Sequence, residues 1–397
     1  MNVSHSYRWT MLGVMTFCSL AFGITFQSIP PILGILIDTF HISHTQAGAL
    51  MSLFSLPAIF LALPGGILVD RYGARTVGSA GLLTMALGTA IVAIGGNYWV
   101  LGLGRLVAGI GSAVTLMVGP KVITSWFRER ELGLSMGVLN TAMPLGTILS
   151  LNFTGVIAFR FGWQASVGVS FAVCMVALCL FLLLYRKRND AGQVVAEPVR
   201  LLTMLKEAGW SIWLVGAVWG LFGAAMISYF TYAPDYFVSQ GEDIAKAGLL
   251  ASYPMWGSII LASIVGLLID RLGRKWLFVS VGCAGIAILF YLMPGLTSYA
   301  AILTIILSIF VAIPPAAVFS SAGELLPERV TGLGFGIMSA CHNIGVLLGP
   351  LITGRLRDAT GNYVWSFMAM ATFAALGIIP MLILKSRLGK TRNHTSD

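Results

Sequence analysis

Charged residues are scarce in this sequence, and polar stretches long enough to build a water-soluble domain are missing. Of its 397 residues, 10% are Asp, Glu, Lys or Arg and 57% are hydrophobic, and the mean hydropathy is +0.88. A soluble domain carries about 25% charged residues, because water must solvate its surface. The composition therefore excludes a soluble globular protein and indicates a helical protein that crosses a membrane several times.

Motifs of metal and nucleotide sites are also missing. The sequence has no Walker loop and no Cys or His pairs at zinc-binding spacing, and no segment forms a soluble domain large enough to hydrolyse ATP. The five cysteines all lie in apolar runs, where thiols usually serve as small packing residues. We therefore expect no enzyme activity, no metal ion and no cofactor.

Apolar runs recur along the whole chain, each of about the 20 residues that a helix needs to cross a membrane. The loops are short, except for a polar and basic linker at 186–209, which separates an N-terminal half (1–185) from a C-terminal half with a short tail (210–397). We predict an all-α membrane protein whose twelve transmembrane helices form two pseudo-symmetric six-helix halves. The predicted spans are 10–37, 46–69, 76–95, 98–124, 132–158, 163–185, 210–237, 247–269, 276–294, 298–322, 332–354 and 363–384.

Most of the 24 Lys and Arg residues fall in one set of loops, which includes the linker and the regions near both termini. Because cytoplasmic loops collect positive charge, the linker and both termini are predicted to be cytoplasmic, in a multi-pass protein of the cell inner (cytoplasmic) membrane. The net charge of +9 then reflects orientation in the lipid bilayer. We expect no nucleic-acid partner, and a protein that functions as a monomer.

A short charged stretch occurs twice, 200 positions apart. Gly66-Ile-Leu-Val-Asp70-Arg71-Tyr-Gly73-Ala-Arg75 returns as Gly266-Leu-Leu-Ile-Asp270-Arg271-Leu-Gly273-Arg-Lys275, and the apolar runs before the two copies align without gaps. The pairs Phe22-Gly23 and Phe222-Gly223 keep the same spacing. Two six-span halves in the same orientation form a parallel repeat, which is typical of a large class of transporters.

These motifs give the whole chain a specific resemblance. It resembles a twelve-helix member of the major facilitator superfamily, whose signature turn after the second helix is similar to Gly66–Arg75 and has a copy after the eighth. Arg105-Leu-Val-Ala-Gly109-Ile-Gly111 resembles the fourth-helix motif of that family. The match departs at Ala74, where the family often has arginine, and Met143-Pro144-Leu-Gly146 fits the fifth-helix antiporter motif poorly.

The resemblance implies alternating access, in which the two halves rock about a central site. It also implies a latch, because in this family the aspartate of each turn engages a helix of the opposite half. Here Asp70 would meet span eleven near Gly332, and Asp270 would meet span five near Gly133. The predicted gating residues are Gly66, Asp70, Arg71, Gly73, Arg75, Gly266, Asp270, Arg271 and Gly273.

Arg105 is the strongest candidate for substrate binding. It lies seven residues into span four, at a depth of about 10 Å. A charge at the membrane centre costs about 2.5–3.5 kcal/mol on insertion scales, which makes a buried arginine informative. A guanidinium in a cavity suits a carboxylate or another planar anion, which it binds with two parallel hydrogen bonds. Alternatively, Arg105 extends to the membrane surface or braces neighbouring helices.

Other polar residues lie deep in the predicted spans. His342 and Asn343 fall near the centre of span eleven, where an imidazole can bind substrate or carry a proton. His342 also shares a helix face with Gly345 and Gly349, a spacing that marks helix packing. Each neutral candidate can equally be a hydrogen-bonding residue between helices. The neutral candidates in the other spans are Gln27, Asn140, Thr147, Tyr229 and Tyr232.

Three hypotheses follow for function. The first is a secondary active transporter that moves a small organic anion of the carboxylate type, as a symporter or antiporter, with Arg105 as its anion anchor. The alternative is a proton-linked efflux pump for cationic or lipophilic compounds, which the buried positive charge and the poor antiporter motif disfavour. The third is a transporter-like receptor or scaffold. No carboxylate lies near a span centre, so protons, if they drive transport, would be carried by His342, Asp235 or the substrate.

Overall fold

The computed structural model describes residues 6–61, 64–127, 131–187, 209–326 and 330–394, and these residues form helices and short connections with no strand. Twelve helical segments among them are long and apolar enough to cross a membrane. The predicted all-α class with twelve spans is therefore confirmed. Most of the predicted linker, residues 188–208, lies outside the described residues.

Eight helices are described in the first six spans. Span one is divided into two helices, and the two helices of span two lie on either side of residues 62–63, which are outside the described residues. The short connections within and between these spans include a single 3₁₀ turn at Pro30–Ile32. The helices are α1 (Tyr7–Phe26), α2 (Leu33–Phe40), α3 (His44–Leu61), α4 (Pro64–Tyr72), α5 (Ala74–Ala93), α6 (Tyr98–Phe127), α7 (Leu132–Phe161) and α8 (Trp163–Leu184).

Eight further helices make up the last six spans, with spans ten and twelve divided. The helices are α9 (Ser211–Ser239), α10 (Ile244–Leu272), α11 (Lys275–Leu292), α12 (Ala300–Val311), α13 (Ile313–Leu325), α14 (Thr331–Thr360), α15 (Val364–Leu376) and α16 (Ile378–His394).

Prolines explain two of these divisions. Pro30 and Pro31 lack the amide that a continuing helix would use, and α1 ends just before them at Phe26. Pro314 similarly lies at the start of α13, just after the break in span ten. In contrast, α9 continues through Pro234. The proline removes one hydrogen bond from the helix, and one missing hydrogen bond does not end a well-packed helix.

Contacts divide the chain into two compact units. Unit 1 comprises Met1–Ala196 and Thr231–Ser252, and unit 2 comprises Glu197–Phe230 and Tyr253–Asp397. Unit 1 therefore contains the first six spans together with the end of α9 and the start of α10. These units are defined by contacts, whereas the halves 1–185 and 210–397 are defined by sequence repetition, and the halves remain a prediction.

Glycines allow a close helix crossing in each unit. In unit 1, a Cβ at Gly146 of α7 would collide with the Leu20 carbonyl and the backbone of Gly23 in α1. In unit 2, a Cβ at Gly345 of α14 would collide with the Gly220 carbonyl in α9. Small residues at such positions let two backbones approach within contact distance in a membrane. Each unit thus contains a crossing at which a glycine brings two helix backbones into contact.

Candidate functional site

Arg105 is buried in unit 1 with 1% of its surface exposed, and its guanidinium binds two neighbouring helices. Nε donates to the Leu50 carbonyl at 3.0 Å, and Nη1 donates to the Thr25 carbonyl at 2.8 Å. Nη2 donates to the Phe26 carbonyl at 3.0 Å and lies 3.4 Å from the Met51 sulfur. The side chain of α6 therefore joins the end of α1 to the middle of α3.

The break in α1 explains why these carbonyls are available. The carbonyl of Phe26 would normally accept a hydrogen bond from residue 30, but Pro30 has no amide hydrogen. Besides the bond from Arg105, the Thr25 carbonyl accepts a long bond of 3.4 Å from the Ser28 amide and a 2.9 Å bond from the Ser28 hydroxyl. Arg105 thus supplies donors to a helix end that would otherwise leave buried carbonyls poorly satisfied.

The charge on Arg105 has no anionic partner among the described residues. Its hydrogen-bond acceptors are carbonyls and a thioether, and its guanidinium carbon lies 4.3 Å from the centre of the Phe54 ring. An aromatic face stabilises a cation but does not neutralise it. The interior of unit 1 therefore holds a positive charge that is solvated only by neutral groups, which is an arrangement that attracts an anion.

Gln27 follows directly after the two carbonyls that Arg105 binds. Its side chain is fully buried, and neither Nε2 nor Oε1 has a hydrogen-bond partner among the described residues. Its backbone carbonyl accepts a 2.8 Å bond from the Ser150 hydroxyl of α7. A buried amide without partners costs about 1–3 kcal/mol. It is therefore a group that a ligand can satisfy.

Thr147 presents a second unpartnered group on the helix that faces Gln27. It is fully buried, and its hydroxyl has no hydrogen-bond partner among the described residues. It lies one residue after Gly146 and three before Ser150, both of which contact the end of α1. Residues three apart share a helix face, so Thr147 lies on the same side of α7 as Ser150, which contacts the end of α1.

Two other predicted substrate residues of unit 1 have different surroundings. The Tyr232 hydroxyl of α9 donates to the His44 carbonyl at the first residue of α3, 2.9 Å away. Asn140 of α7 is exposed in this structure. An exposed amide within a span is better suited to a water-filled cavity than to lipid. The structure thus joins Arg105 to the residues beside Gln27, and it places Tyr232 at a separate contact.

The remaining predicted substrate residues lie in unit 2. The Tyr229 ring is buried and stacks on Phe290 with 5.4 Å between ring centres. His342 stacks on Trp219 at 4.6 Å, and its Nδ1 lies 3.2 Å from the Trp219 carbonyl. Because a carbonyl oxygen can only accept a hydrogen bond, Nδ1 of His342 carries the hydrogen in this bond.

The neighbours of His342 show how tightly its helix is packed. A Cβ at Gly223 would meet the imidazole of His342, and the same helix contact is continued by Gly345 and Gly349 against α9. Asn343 donates to the Ser339 carbonyl one turn earlier, at 2.8 Å. Such contacts are expected if His342 packs helices together, which is the alternative to a role in binding substrate or protons.

The two repeated charged stretches are mostly helical, and a single glycine makes each turn. Gly66, Asp70 and Arg71 belong to α4, and Gly73 connects α4 to α5 with a φ of 80°. In the second copy, Gly266, Asp270 and Arg271 belong to α10, and Gly273 has a φ of 62° before α11. Glycine suits these two positions because a positive φ strains residues that have a Cβ. The exposed Arg75 lies 3.4 Å from the Leu182 carbonyl of α8.

An ion pair at each repeated stretch was not predicted from the sequence. In unit 1, Lys121 of α6 pairs with Asp70 of α4. In unit 2, Lys275 of α11 pairs with Glu324 of α13 at 2.6 Å. The fourth span of the first half thus supplies the cation, whereas the corresponding tenth span supplies the anion. A sequence motif gives the charges but not their partners, because these residues are about 50 positions apart along the chain.

Curated relatives that are similar in sequence include several transporters. The chain is 21% identical to the human lysosomal dipeptide transporter MFSD1 over 97% of this chain and 88% of that protein. It is 22% identical to the probable sulfoacetate transporter SauU of Cupriavidus necator, over 96% and 94% of the two chains. It is 26% identical to the probable L-galactonate transporter of Escherichia coli, over 86% and 82%.

Solved transporter structures share the fold. The structure of the nucleoside transporter NupG superposes with a TM-score of 0.79 at 13% identity, over 94% of this chain and 99% of that one. A bacterial homologue of the human lysosomal transporter Spinster, in an inward-facing and occupied conformation, superposes with a TM-score of 0.80 at 15% identity, over 97% and 98%. At these identities the similarity establishes the fold alone.

The sequence profile of the Major Facilitator Superfamily matches residues 15–248 and 239–396, which together cover nearly the whole chain. The twelve spans, the repeated charged stretches and the similar transporters agree with this match. The predicted family is confirmed, and the chain belongs to the Major Facilitator Superfamily of membrane transporters.

Proposed function

We propose that this protein is a secondary active transporter that carries a small organic anion with a carboxylate group across the cytoplasmic membrane. The observation that supports this function is the guanidinium of Arg105, which is buried and bound only to neutral groups within the described chain. A charge in a medium of low dielectric constant interacts strongly with an opposite charge that enters the same medium. An anionic substrate therefore gains most from this position.

Arg105 has hydrogen bonds to exchange as well as a charge. Its guanidinium has five N–H groups, and its contacts within the described chain use one on Nε, one on Nη1 and both on Nη2. One hydrogen on Nη1 remains, and the bonds to the carbonyls are of a kind that a carboxylate can replace with stronger, charge-assisted ones. The transported anion would bind when the end of α1 moves during alternating access.

Gln27 and Thr147 would complete the site. The side chains of both residues are buried and have no hydrogen-bond partner within the described chain. Gln27 follows the two residues whose carbonyls bind Arg105, and Thr147 follows Gly146, which packs against α1. An amide both donates and accepts, and a hydroxyl does the same. Together with the guanidinium they suit a substrate that has a carboxylate and at least one further polar group.

The relatives support this substrate class. Sulfoacetate, L-galactonate and dipeptides are named as the substrates of three similar transporters. All three compounds carry a carboxylate, and each has a second polar or charged group. The carboxylate is the chemical group that all three compounds contain, and it is the feature that we carry over to this chain.

Uptake by purified protein in liposomes tests the proposal. The panel contains sulfoacetate, galactonate, a hexuronate, a dipeptide, a nucleoside and a cationic dye, each measured by counterflow. We expect exchange of at least one carboxylate and none of the dye. Arg105→Lys is expected to reduce carboxylate exchange at least tenfold, because lysine keeps the charge but loses the planar fork. The exposed Arg160 provides the matched control, since Arg160→Lys leaves this network intact.

The experiment separates the proposal from the efflux alternative. Transport of the cationic dye without any carboxylate would contradict an anion site and would favour a proton-linked pump for cationic or lipophilic compounds. Full activity of Arg105→Lys on a carboxylate would keep the transport function but remove Arg105 from the binding site. A failure of the whole panel, in protein that exchanges no compound, would favour the receptor or scaffold hypothesis.

A further inference from the structure

The end of α9 and the start of α10 pack against the helices of the first six spans. Residues 231–252, called here the α9–α10 hairpin, belong to unit 1. Asn152 of α7 donates to the Ser252 hydroxyl at 3.0 Å, and a Cβ at Gly248 would collide with the Leu151 carbonyl. These contacts dock the hairpin on α7, and they must break if the hairpin moves away from α7.

His44 and Asp235 form the charged part of this contact. His44 is the first residue of α3, and its Nε2 lies 3.8 Å from Oδ2 of Asp235 in α9. The side chains are 18% and 19% exposed, so water and protons reach a pair that is otherwise surrounded by protein. The backbone carbonyl of His44 also accepts the Tyr232 hydroxyl of the hairpin. His44 therefore holds the hairpin through its main chain and its side chain.

Asp235 is closely enclosed on its other side. Its Oδ1 lies against Gly34 of α2, where an added Cβ would collide with that oxygen. A carboxylate in this position has one side toward a backbone and the other toward an imidazole. Its interaction with His44 consequently depends on whether that imidazole is charged.

We propose that His44 and Asp235 are a proton-binding latch for the α9–α10 hairpin. An imidazole changes its charge between about pH 5 and pH 8, whereas a carboxylate ordinarily remains ionised over that range. Protonated His44 attracts Asp235 and holds the hairpin docked, and loss of that proton leaves a much weaker neutral–anion contact. Docking and proton binding thus favour each other by thermodynamic linkage.

The sign of the effect follows from the charges. Acid favours the positive form of an imidazole, and a positive imidazole at His44 attracts the Asp235 carboxylate, so acid stabilises the docked hairpin. Raising the pH removes the attraction and favours separation of the hairpin from α2, α3 and α7. The latch is independent of the substrate, and it gives the transport cycle a step at which a proton is bound or released.

Other titratable groups lie on the elements around the pair. Lys246 and Glu242 form their own ion pair at 2.7 Å within the hairpin. His41 is the other imidazole nearby in sequence, and it is exposed in the connection between α2 and α3. The titratable and charged groups of the hairpin, of α2, of the α2–α3 connection and of α7 are Asp38, His41, Arg160, Tyr232, Tyr236, Glu242, Asp243 and Lys246.

Distance measurements between two spin labels in the full chain test the latch. The labels replace the exposed residues Thr39 and Gln240, in a variant without the five native cysteines that is reconstituted in lipid nanodiscs. We expect the fraction with the short, docked distance to fall about twofold or more between about pH 5.5 and about pH 8. His44→Gln should abolish the pH dependence, and His41→Gln should preserve it.

A permanently charged residue provides a variant with the opposite result. His44→Lys is expected to keep the hairpin docked at both pH values, because an ammonium stays charged throughout. Asp235→Asn is expected to remove the pH dependence from the other side of the pair. A pH dependence that persists in both His44→Gln and Asp235→Asn would overturn the latch. Loss of the pH dependence in His41→Gln, or distances that do not change with pH in the parent, would overturn it as well.

Discussion

Arg105 donates from Nη2 to the carbonyl oxygen of Phe26 at 3.0 Å, in the place where an uninterrupted helix would use the amide of residue 30. Residue 30 is a proline, so the arginine of α6 replaces a bond that α1 cannot form itself. The same side chain thus contributes the charge of the candidate site and the shape of the helix that borders it.

This relationship predicts that Arg105 and Pro30 are energetically coupled. In Pro30→Ala the amide of residue 30 becomes available to Phe26, so removal of the arginine leaves fewer buried carbonyls unsatisfied. We expect the destabilisation by Arg105→Gln to be smaller in the Pro30→Ala background, with a coupling of about 1 kcal/mol. Denaturant unfolding of the four proteins in detergent measures this term. Strictly additive changes would show that the two residues act independently.

Gly146 is predicted to tolerate no larger side chain. The added methyl group of Gly146→Ala would meet the backbone of α1 and force the two helices apart, at a cost of about 1–3 kcal/mol. Gly137→Ala is the matched control on the same helix, because a Cβ there has no neighbour within 4 Å. The melting temperature in detergent should fall for the first variant and stay unchanged or rise for the second, because alanine favours a helix more than glycine does. Equal melting temperatures would mean that this crossing adapts without strain.

Gln27→Leu is predicted to separate stability from function. The variant removes a buried amide that has no partner within the described chain, so the free energy of unfolding should stay equal or increase by about 1 kcal/mol. Transport of the carboxylate found by counterflow should weaken through a higher KM, because the substrate loses its amide partner. Both quantities come from thermal unfolding and concentration-dependent uptake.

Asn152 is the matched control for Gln27, because its side-chain amide has hydrogen-bond partners. Its amide donates to the Ser252 hydroxyl and to the Ile148 carbonyl, so Asn152→Leu should lower stability. If Gln27→Leu instead lowers stability while uptake is unaffected, Gln27 is a structural residue with no role toward substrate.

The ion pair of Lys121 and Asp70 is predicted to act on the transport cycle more than on stability. Both side chains are substantially exposed, and such pairs contribute about 0.2–1 kcal/mol. We expect Asp70→Asn to impair transport and shift the protein toward the inward-facing state, as the family latch implies. The exchange Asp70→Lys with Lys121→Asp should recover part of the activity. Accessibility labelling from each side of the membrane measures the shift. Unchanged labelling in Asp70→Asn would contradict the predicted gating role of Asp70.

His342 is predicted to be a helix-packing residue. In His342→Asn the amide nitrogen can replace Nδ1 as the donor to the Trp219 carbonyl, whereas Nε2 and the stacked ring are lost. We expect this variant to keep most of its transport, together with any stimulation of transport by a pH gradient, and to have a lower melting temperature. Loss of the gradient dependence in a stable variant would identify His342 as a proton carrier.

Much of the fold is predictable because it depends on local composition and repetition. Twelve apolar runs predict twelve spans, and Gly73 and Gly273 mark the turns at which a positive φ is required. The importance of Arg105 is also visible, since a charge within an apolar run is costly wherever its partners lie. Its neutral carbonyl partners are not visible, because backbone acceptors leave no side-chain pattern in a sequence.

The sequence by itself determined the class of protein, the family and the residues worth examining. The tertiary structure decided which of them meet. It placed Arg105 at the break in α1, the Tyr232 hydroxyl on the His44 carbonyl, and the Lys121 ammonium beside Asp70. These partners are about 50 to 190 positions apart along the chain. Hydropathy and helical periodicity describe residues within one turn or one span, whereas contacts between spans depend on how whole helices pack.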